Sequence, residues 1–201
     1  MELMQGNEMV NFYSGTFLDR SGELRNDMKY LSQAICKEKT IFIVLHKCCP
    51  LVEDDDENED GSTKLVRFSL QQIQNHFNVK LNEGGKWPPY LLYLGRGQFD
   101  WFAVNELDGG DEFMKYFVNE KQSFAKGYVQ GSQICWRDSG VVSQAVSMFQ
   151  WHDRYRFCST CGSKMFVEAA GYKKTCTNEG CRSKKGILIF FIVFYVYVCC
   201  K

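Results

Sequence analysis

Two short knuckles, Cys158-Ser-Thr-Cys161 and Cys176-Thr-Asn-Glu-Gly-Cys181, carry four thiols on either side of a fourteen-residue stretch. The spacing lets two sulfurs from each knuckle converge on one point, as in a tetrahedral thiolate zinc site. An all-cysteine set leaves no open coordination position, so Cys158, Cys161, Cys176 and Cys181 are expected to hold one structural zinc per chain. Gly162 and Gly180 fall where tight knuckle turns favour positive φ. The competing readings are a disulfide pair and a redox CxxC. A second, matched pair is not expected of a thioredoxin-like motif, which favours zinc.

Ahead of the knuckles, the run Thr40-Ile-Phe-Ile-Val-Leu is β-branched and aromatic, and Cys48-Cys49-Pro50 closes it. It reads as a strand buried on both faces. Lys64-Leu-Val-Arg-Phe-Ser resembles a returning strand, and Ser69 followed by Leu70, Ile73 and Phe77 predicts a short capped helix. Tyr90 to Leu94 and Phe99 to Val104 predict two further strands, separated by Gly95-Arg96-Gly97. From Ser139 to Arg154, the apolar positions Val141, Val142, Ala145, Met148, Phe149 and His152 follow the spacing of an amphipathic helix. That helix runs straight into the first knuckle. The expected fold is α+β: residues 1–137 as an α/β domain, 138–156 as a connecting helix, 157–186 as a zinc ribbon, and 187–201 as an apolar tail.

The chain has 24 cationic and 24 acidic residues, and seven of the acids sit in the run from Glu53 to Asp60. Packed like charges without apolar interruption stay hydrated, so this run reads as a surface loop on an otherwise basic body. The start Met-Glu-Leu-Met-Gln-Gly-Asn-Glu has neither the basic nor the apolar region of a secretory signal. A reducing, cytoplasmic setting is therefore expected, with Cys36, Cys48, Cys49 and Cys135 as small buried hydrophobes. His46, His76 and His152 are scattered among different elements and form no catalytic cluster. His152, on the apolar side of the last helix, is expected to pack and hydrogen-bond and not to bind metal. Lys164, Lys173, Lys174, Arg182, Lys184 and Lys185, with Phe166 and Tyr172 between them, offer a basic surface for an RNA backbone, against the alternative of ordinary solvated lysines.

The tail from Ile187 to Cys200 is apolar throughout, but as a helix it would span only about 21 Å against a hydrocarbon core of about 30 Å. Its β-branched and aromatic content favours a strand, and a membrane anchor is not expected. Its final Cys-Cys-Lys is not a peroxisomal SKL-type address.

The string Trp151-His152-Asp153-Arg154-Tyr155-Arg156-Phe157-Cys158-Ser159-Thr160-Cys161-Gly162, followed by Glu168, Gly171, Tyr172, Lys173 and Cys176, resembles the zinc-ribbon signature of the NADH pyrophosphatase branch of the Nudix hydrolases. Leu18-Asp19-Arg20, the strand from Ile41 to Leu45, Pro50-Leu51-Val52 and Trp101-Phe102-Ala103 extend the likeness into that family's N-terminal domain. The resemblance implies a Nudix-like α/β N-terminal domain, a rubredoxin-like ribbon, and a family reaction that splits the pyrophosphate of NADH or of an NAD cap on RNA into nicotinamide mononucleotide and an adenylate. It implies magnesium or manganese held by the carboxylates of a Nudix box, Arg-Glu-x-x-Glu-Glu. No such string occurs here, and Glu112, Glu120, Glu168 and Glu179 are isolated. The expectation is thus a truncated form, non-catalytic alone, with no catalytic or cofactor-binding residue of its own. As partners the resemblance implies a second copy or a full-length relative, and NAD-capped RNA. It also makes a peroxisomal location compatible with the family.

Overall fold

The computed structural model describes residues 15–54, 63–74, 86–106, 122–125, 134 and 136–185. Most of the acidic run, Phe77, Cys135 and the apolar tail lie outside the described residues. Among those described, no helix is long and apolar enough to cross a membrane.

The fold is α+β, built on a sheet whose strands run in the spatial order β3 (Thr63–Leu65), β2 (Cys49–Asp54), β1 (Ile41–His46), β5 (Asp100–Glu106), β4 (Leu91–Arg96), with β6 (Gln122–Phe124) also pairing with β2. Its centre is β1 (Ile41–His46), which runs parallel to β5 (Asp100–Glu106), Ile41 facing Trp101 and His46 facing Glu106. A parallel pair needs cover on both faces. Phe42, Ile43, Val44 and Leu45 are accordingly all buried, as their unbroken apolar run predicts. β4 (Leu91–Arg96) lies antiparallel on the far side of β5 and forms one edge.

The turn after β1 differs from the expected one. Cys49 and Pro50 do not close the strand but open β2 (Cys49–Asp54), and the reversal falls on Lys47 and Cys48, with φ of 49° and 61°. Such a two-residue hairpin turn has both central residues left-handed, a conformation usually left to Gly, Asn or Asp. The carboxamide of Asn105 accepts the Cys48 backbone N–H at 3.0 Å and holds the strained turn. The free cysteines also depart from expectation: Cys36 is exposed, and Cys48 and Cys49 are only partly covered. Cys36 ends the helix Met28–Cys36 on its exposed side and Cys49 follows the turn, while Cys48, within the turn, packs only against the margin of the core.

The returning segment is split. β3 (Thr63–Leu65) pairs with β2, whereas Phe68 exchanges two 2.8 Å backbone hydrogen bonds with Phe42 on β1. Ser69 then starts α2 (Leu70–Gln74), and the Gln72 side chain reaches back to the Ser69 N–H at 2.8 Å, the reciprocal half of a capping box.

Alternation along the strands divides the core between two faces. Phe42, Val44, Leu91, Tyr93, Phe102 and Val104 pack with Leu31, Ala34 and Ile35 of α1 (Met28–Cys36). Ile43, Leu45, Leu92, Leu94, Trp101 and Ala103 pack with Val141, Val142, Ala145 and Phe149 of α3 (Trp136–Arg154). Charged ties hold both layers. Asp100, nearly fully buried, accepts hydrogen bonds from Tyr30 at 2.6 Å and Tyr93 at 3.1 Å and pairs with Lys37. Asp138 in the first turn of α3 takes both its contacts from one guanidinium nitrogen of Arg67, at 3.0 and 3.1 Å.

Behind α3 the ribbon hairpin of β7 (Met165–Glu168) and β8 (Lys173–Cys176) does not stand apart. Val167 and Ala170 belong to the same buried cluster as Leu91, Tyr93 and Phe102. The 3-10 turn Ala169–Gly171 lies against β4, so the ribbon covers an exposed sheet edge that would otherwise invite pairing. Gly171, at φ 106°, makes this approach possible, because a Cβ there would sit 2.4 Å from Leu92 Cδ1.

Candidate metal centre

The ribbon brings the two knuckles together. The first turns through a 2.8 Å hydrogen bond from the Gly162 N–H to the Cys158 carbonyl, with Gly162 at φ 71°, as its position predicts. The second turns otherwise. Gly180 has no positive φ and instead donates its N–H to Asn178 Oδ1 at 3.0 Å, an Asx turn in which the asparagine side chain does the work expected of glycine.

The sulfurs of Cys158, Cys161, Cys176 and Cys181 all lie within 4.8 Å of one another. Across the knuckles, Cys158 Sγ stands 3.7 Å from Cys181 Sγ, and Cys161 Sγ 3.4 Å from Cys176 Sγ. A tetrahedron with zinc–sulfur bonds of about 2.3 Å has edges of about 3.8 Å, so the donors present fit that ion in both chemistry and spacing. Neither separation is that of a disulfide, which would need about 2.05 Å. Cys158, Cys176 and Cys181 are buried and Cys161 is exposed.

Polar groups around the sulfurs were not evident from the cysteine spacing. The Ser183 hydroxyl lies 3.1 Å from Cys181 Sγ and 3.6 Å from Cys158 Sγ. With the backbone N–H groups of Thr160 and Cys161, Ser183 holds the Cys158 thiol down to about 6. Ser163, through its hydroxyl and its backbone, lowers Cys161. Burial works against the Asn178 N–H on Cys176 and pushes that thiol up to about 12. Ser163 and Ser183 each stand two residues after the second cysteine of their knuckle, a symmetry legible in the sequence once its purpose is known. Such outer groups orient thiolates and neutralise part of their charge.

His152 is not a ligand. It is buried, with Nε2 at 2.6 Å from the Gly171 carbonyl and Nδ1 at 3.2 Å from that of Pro89. The expected basic surface is largely committed elsewhere. Lys173 pairs with Glu168 and Lys184 with Glu179. Lys174 Nζ donates to the carbonyls of His152 and Tyr155, both at 2.6 Å, closing the C-terminal end of α3. Tyr172 lies under the Arg25 guanidinium at 3.5 Å and bonds to Gln144. Phe166 lies under Lys86. Among the expected RNA-facing cations, Lys164 and Arg182 are left without an acidic partner among the described residues.

A four-thiol ribbon fused to the edge of an α/β sheet defines a zinc-ribbon protein class, and comparison narrows it. Residues 153–184 match the NADH pyrophosphatase zinc ribbon domain. The chain is 28% identical over 204 aligned residues to the NAD-capped RNA hydrolase NUDT12 of Homo sapiens, covering 90% of this chain and 43% of the relative. It is 29% identical over 212 residues to the NAD-capped RNA hydrolase of Schizosaccharomyces pombe, covering 88% and 53%. Nudix hydrolase 19, chloroplastic, of Arabidopsis thaliana is 39% identical over 115 residues, covering 53% and 25%. These matches support a likeness to the NADH pyrophosphatase branch of the Nudix hydrolases, carried by the ribbon and by the sheet ahead of it. The chain spans about half the length of the curated relatives it matches.

Proposed function

We propose that these residues form the non-hydrolytic platform of an NADH pyrophosphatase-like protein acting on NADH or NAD-capped RNA, with structural zinc held by Cys158, Cys161, Cys176 and Cys181. Hydrolysis of the pyrophosphate to nicotinamide mononucleotide and an adenylate needs cation-binding carboxylates, and no Arg-Glu-x-x-Glu-Glu string lies in this sequence. Those carboxylates would come from a longer chain or from a full-length partner. The observation that carries the reading is the junction of the two parts. The likeness to NAD-capped RNA hydrolases runs through sheet and ribbon alike, and Val167 and Ala170 of the ribbon complete the core of the sheet.

The test is an NADH hydrolysis assay with magnesium on the purified chain, with metal content measured on the same sample. The expected result is about one zinc per chain and no turnover. Turnover of NADH would overturn the non-hydrolytic reading, and a metal-free folded chain would overturn the zinc assignment.

A further inference from the structure

At the joint between α3 and the first knuckle, two large rings face solvent on a well-fixed backbone. Tyr155 is 57% exposed and Phe157 59%, and Phe17 is the one other large hydrophobic so exposed among the described residues. The segment carrying them is tied down. The Tyr155 N–H closes onto the Trp151 carbonyl, Lys174 holds the Tyr155 carbonyl, and the Met165 N–H holds that of Arg156. Phe157 itself bridges to Lys164. Neither ring serves the core, and exposing both works against solubility unless a partner covers them.

The surroundings select the kind of partner. Arg154 and Lys164 are exposed and have no acidic partner among the described residues, and Arg156 pairs only with the exposed Asp153. Each ring therefore has a cation beside it in the chain or across the strand. Protein interfaces are rich in arginine but depleted of lysine, so it is Lys164 beside Phe157 that sets this patch apart from the centre of a protein interface. Rings interleaved with guanidinium and ammonium groups suit unpaired bases, which stack on the rings while the cations meet the phosphates.

We infer that Tyr155 and Phe157, flanked by Arg154, Arg156 and Lys164, form a stacking ledge for single-stranded RNA. This rests on the function proposed above in its choice of RNA. It assigns the contact to the knuckle joint and not to Lys173, Lys184 and Lys174, which are occupied by Glu168, Glu179 and the end of α3. The ledge would hold the body of an RNA independently of the chemistry at its 5′ end.

The experiment uses the zinc-loaded full chain and a labelled, uncapped, unstructured RNA of about 12 nucleotides, read by fluorescence anisotropy. The double variant Tyr155→Ala/Phe157→Ala should bind about ten- to a hundredfold more weakly, with Tyr155→Phe binding like wild type. Arg154→Gln and Lys164→Gln should each lower the slope of log affinity against log salt by about one. Duplex RNA of the same length should bind less well than the single strand. Unchanged melting and zinc content in the variants guard against a folding defect. Equal affinity in the double variant, preference for duplex, or no RNA binding by wild type overturns the ledge. So does a dimer that the double variant dissociates while RNA affinity stays unchanged. None of these results touches the hydrolysis and zinc measurements on which the proposed function stands.

Discussion

His152 on α3 and Gly171 in the ribbon meet through a 2.6 Å contact between Nε2 and a carbonyl oxygen, while the other ring nitrogen faces the Pro89 carbonyl at 3.2 Å. One side chain thus links the helix, the ribbon and the approach to the edge strand β4. A neutral imidazole has a single N–H, so only one carbonyl receives a hydrogen bond. The shorter contact assigns that N–H to Nε2. An imidazolium would serve both carbonyls, but burial disfavours the charge and the nearby Lys174 ammonium opposes it too, so the pKa of His152 lies below the ordinary imidazole value.

The pH dependence follows. As pH falls, the unfolded chain takes up this proton before the folded one does. The stabilisation from the neutral ring is therefore complete above about pH 6.5 and declines below it, until the folded-state pKa is passed. Thermal melts of wild type and His152→Gln between pH 7.5 and 5.5 isolate the contribution, since acid loss of thiolates is common to both. Wild type should lose more stability over that range. Parallel losses would remove His152 from the account.

Gly171→Ala tests the ribbon's seat on the sheet. The substitution would place a Cβ 2.4 Å from the buried Leu92 Cδ1 and force alanine to adopt a φ of 106°. Strain and overpacking together should cost about 2–5 kcal/mol, a fall of about 5–15 °C in melting temperature. The loss should appear in one transition for sheet and ribbon, because they share a core. A separate early transition, with the sheet melting as before, would mean that the two parts are uncoupled.

Asp100→Ala should leave the hydroxyls of Tyr30 and Tyr93 without their acceptor and Lys37 without its partner. Removing the acceptor from a buried hydroxyl costs about 1–3 kcal/mol; with Tyr93 buried and Tyr30 partly so, a loss of about 2–4 kcal/mol is expected in urea unfolding. Changing Lys37→Ala alone should cost under about 1 kcal/mol, because its side chain is half exposed. Equal effects would place the value of the cluster in the ion pair and not in the tyrosines.

The features legible in the sequence are those with a local cause. Four cysteines in two knuckles announce the ribbon, the unbroken apolar run at Thr40 to Leu45 announces a strand covered on both sides, and the period of Val141, Ala145 and Phe149 announces α3. His152 was legible as a packing residue because it lies on that same face. What was not legible depends on distant partners. The parallel register of Ile41 with Trp101 is set by segments sixty residues apart. The left-handed turn at Lys47 and Cys48 is held by Asn105, and Lys173, Lys174 and Lys184 of the expected basic surface are claimed by acids and carbonyls that only folding brings near. Gly180 shows how a residue type misleads, since Asn178 makes its turn with an ordinary backbone.

The four thiols should bind zinc with an affinity that rises with pH in two regimes. Ligating sulfurs are thiolates, so every proton still on the site must leave when metal enters. Hydrogen bonds from Ser183 and the Thr160 and Cys161 N–H groups hold Cys158 at about 6, so near neutrality it is already charged. Burial pushes Cys176 up to about 12, and its proton is displaced throughout the physiological range. Between pH 7 and 8, apparent affinity should therefore climb at least about tenfold per unit; below about pH 6 a further proton, that of Cys158, makes the dependence steeper by another factor of about ten per unit. Competition against a chelator calibrated at each pH measures both slopes. In Ser183→Ala the Cys158 thiol loses its first support, and the steep regime should begin at a higher pH. An unshifted break in that variant would mean that the backbone N–H groups alone hold Cys158 down, and a flat profile for wild type would exclude thiol ligation.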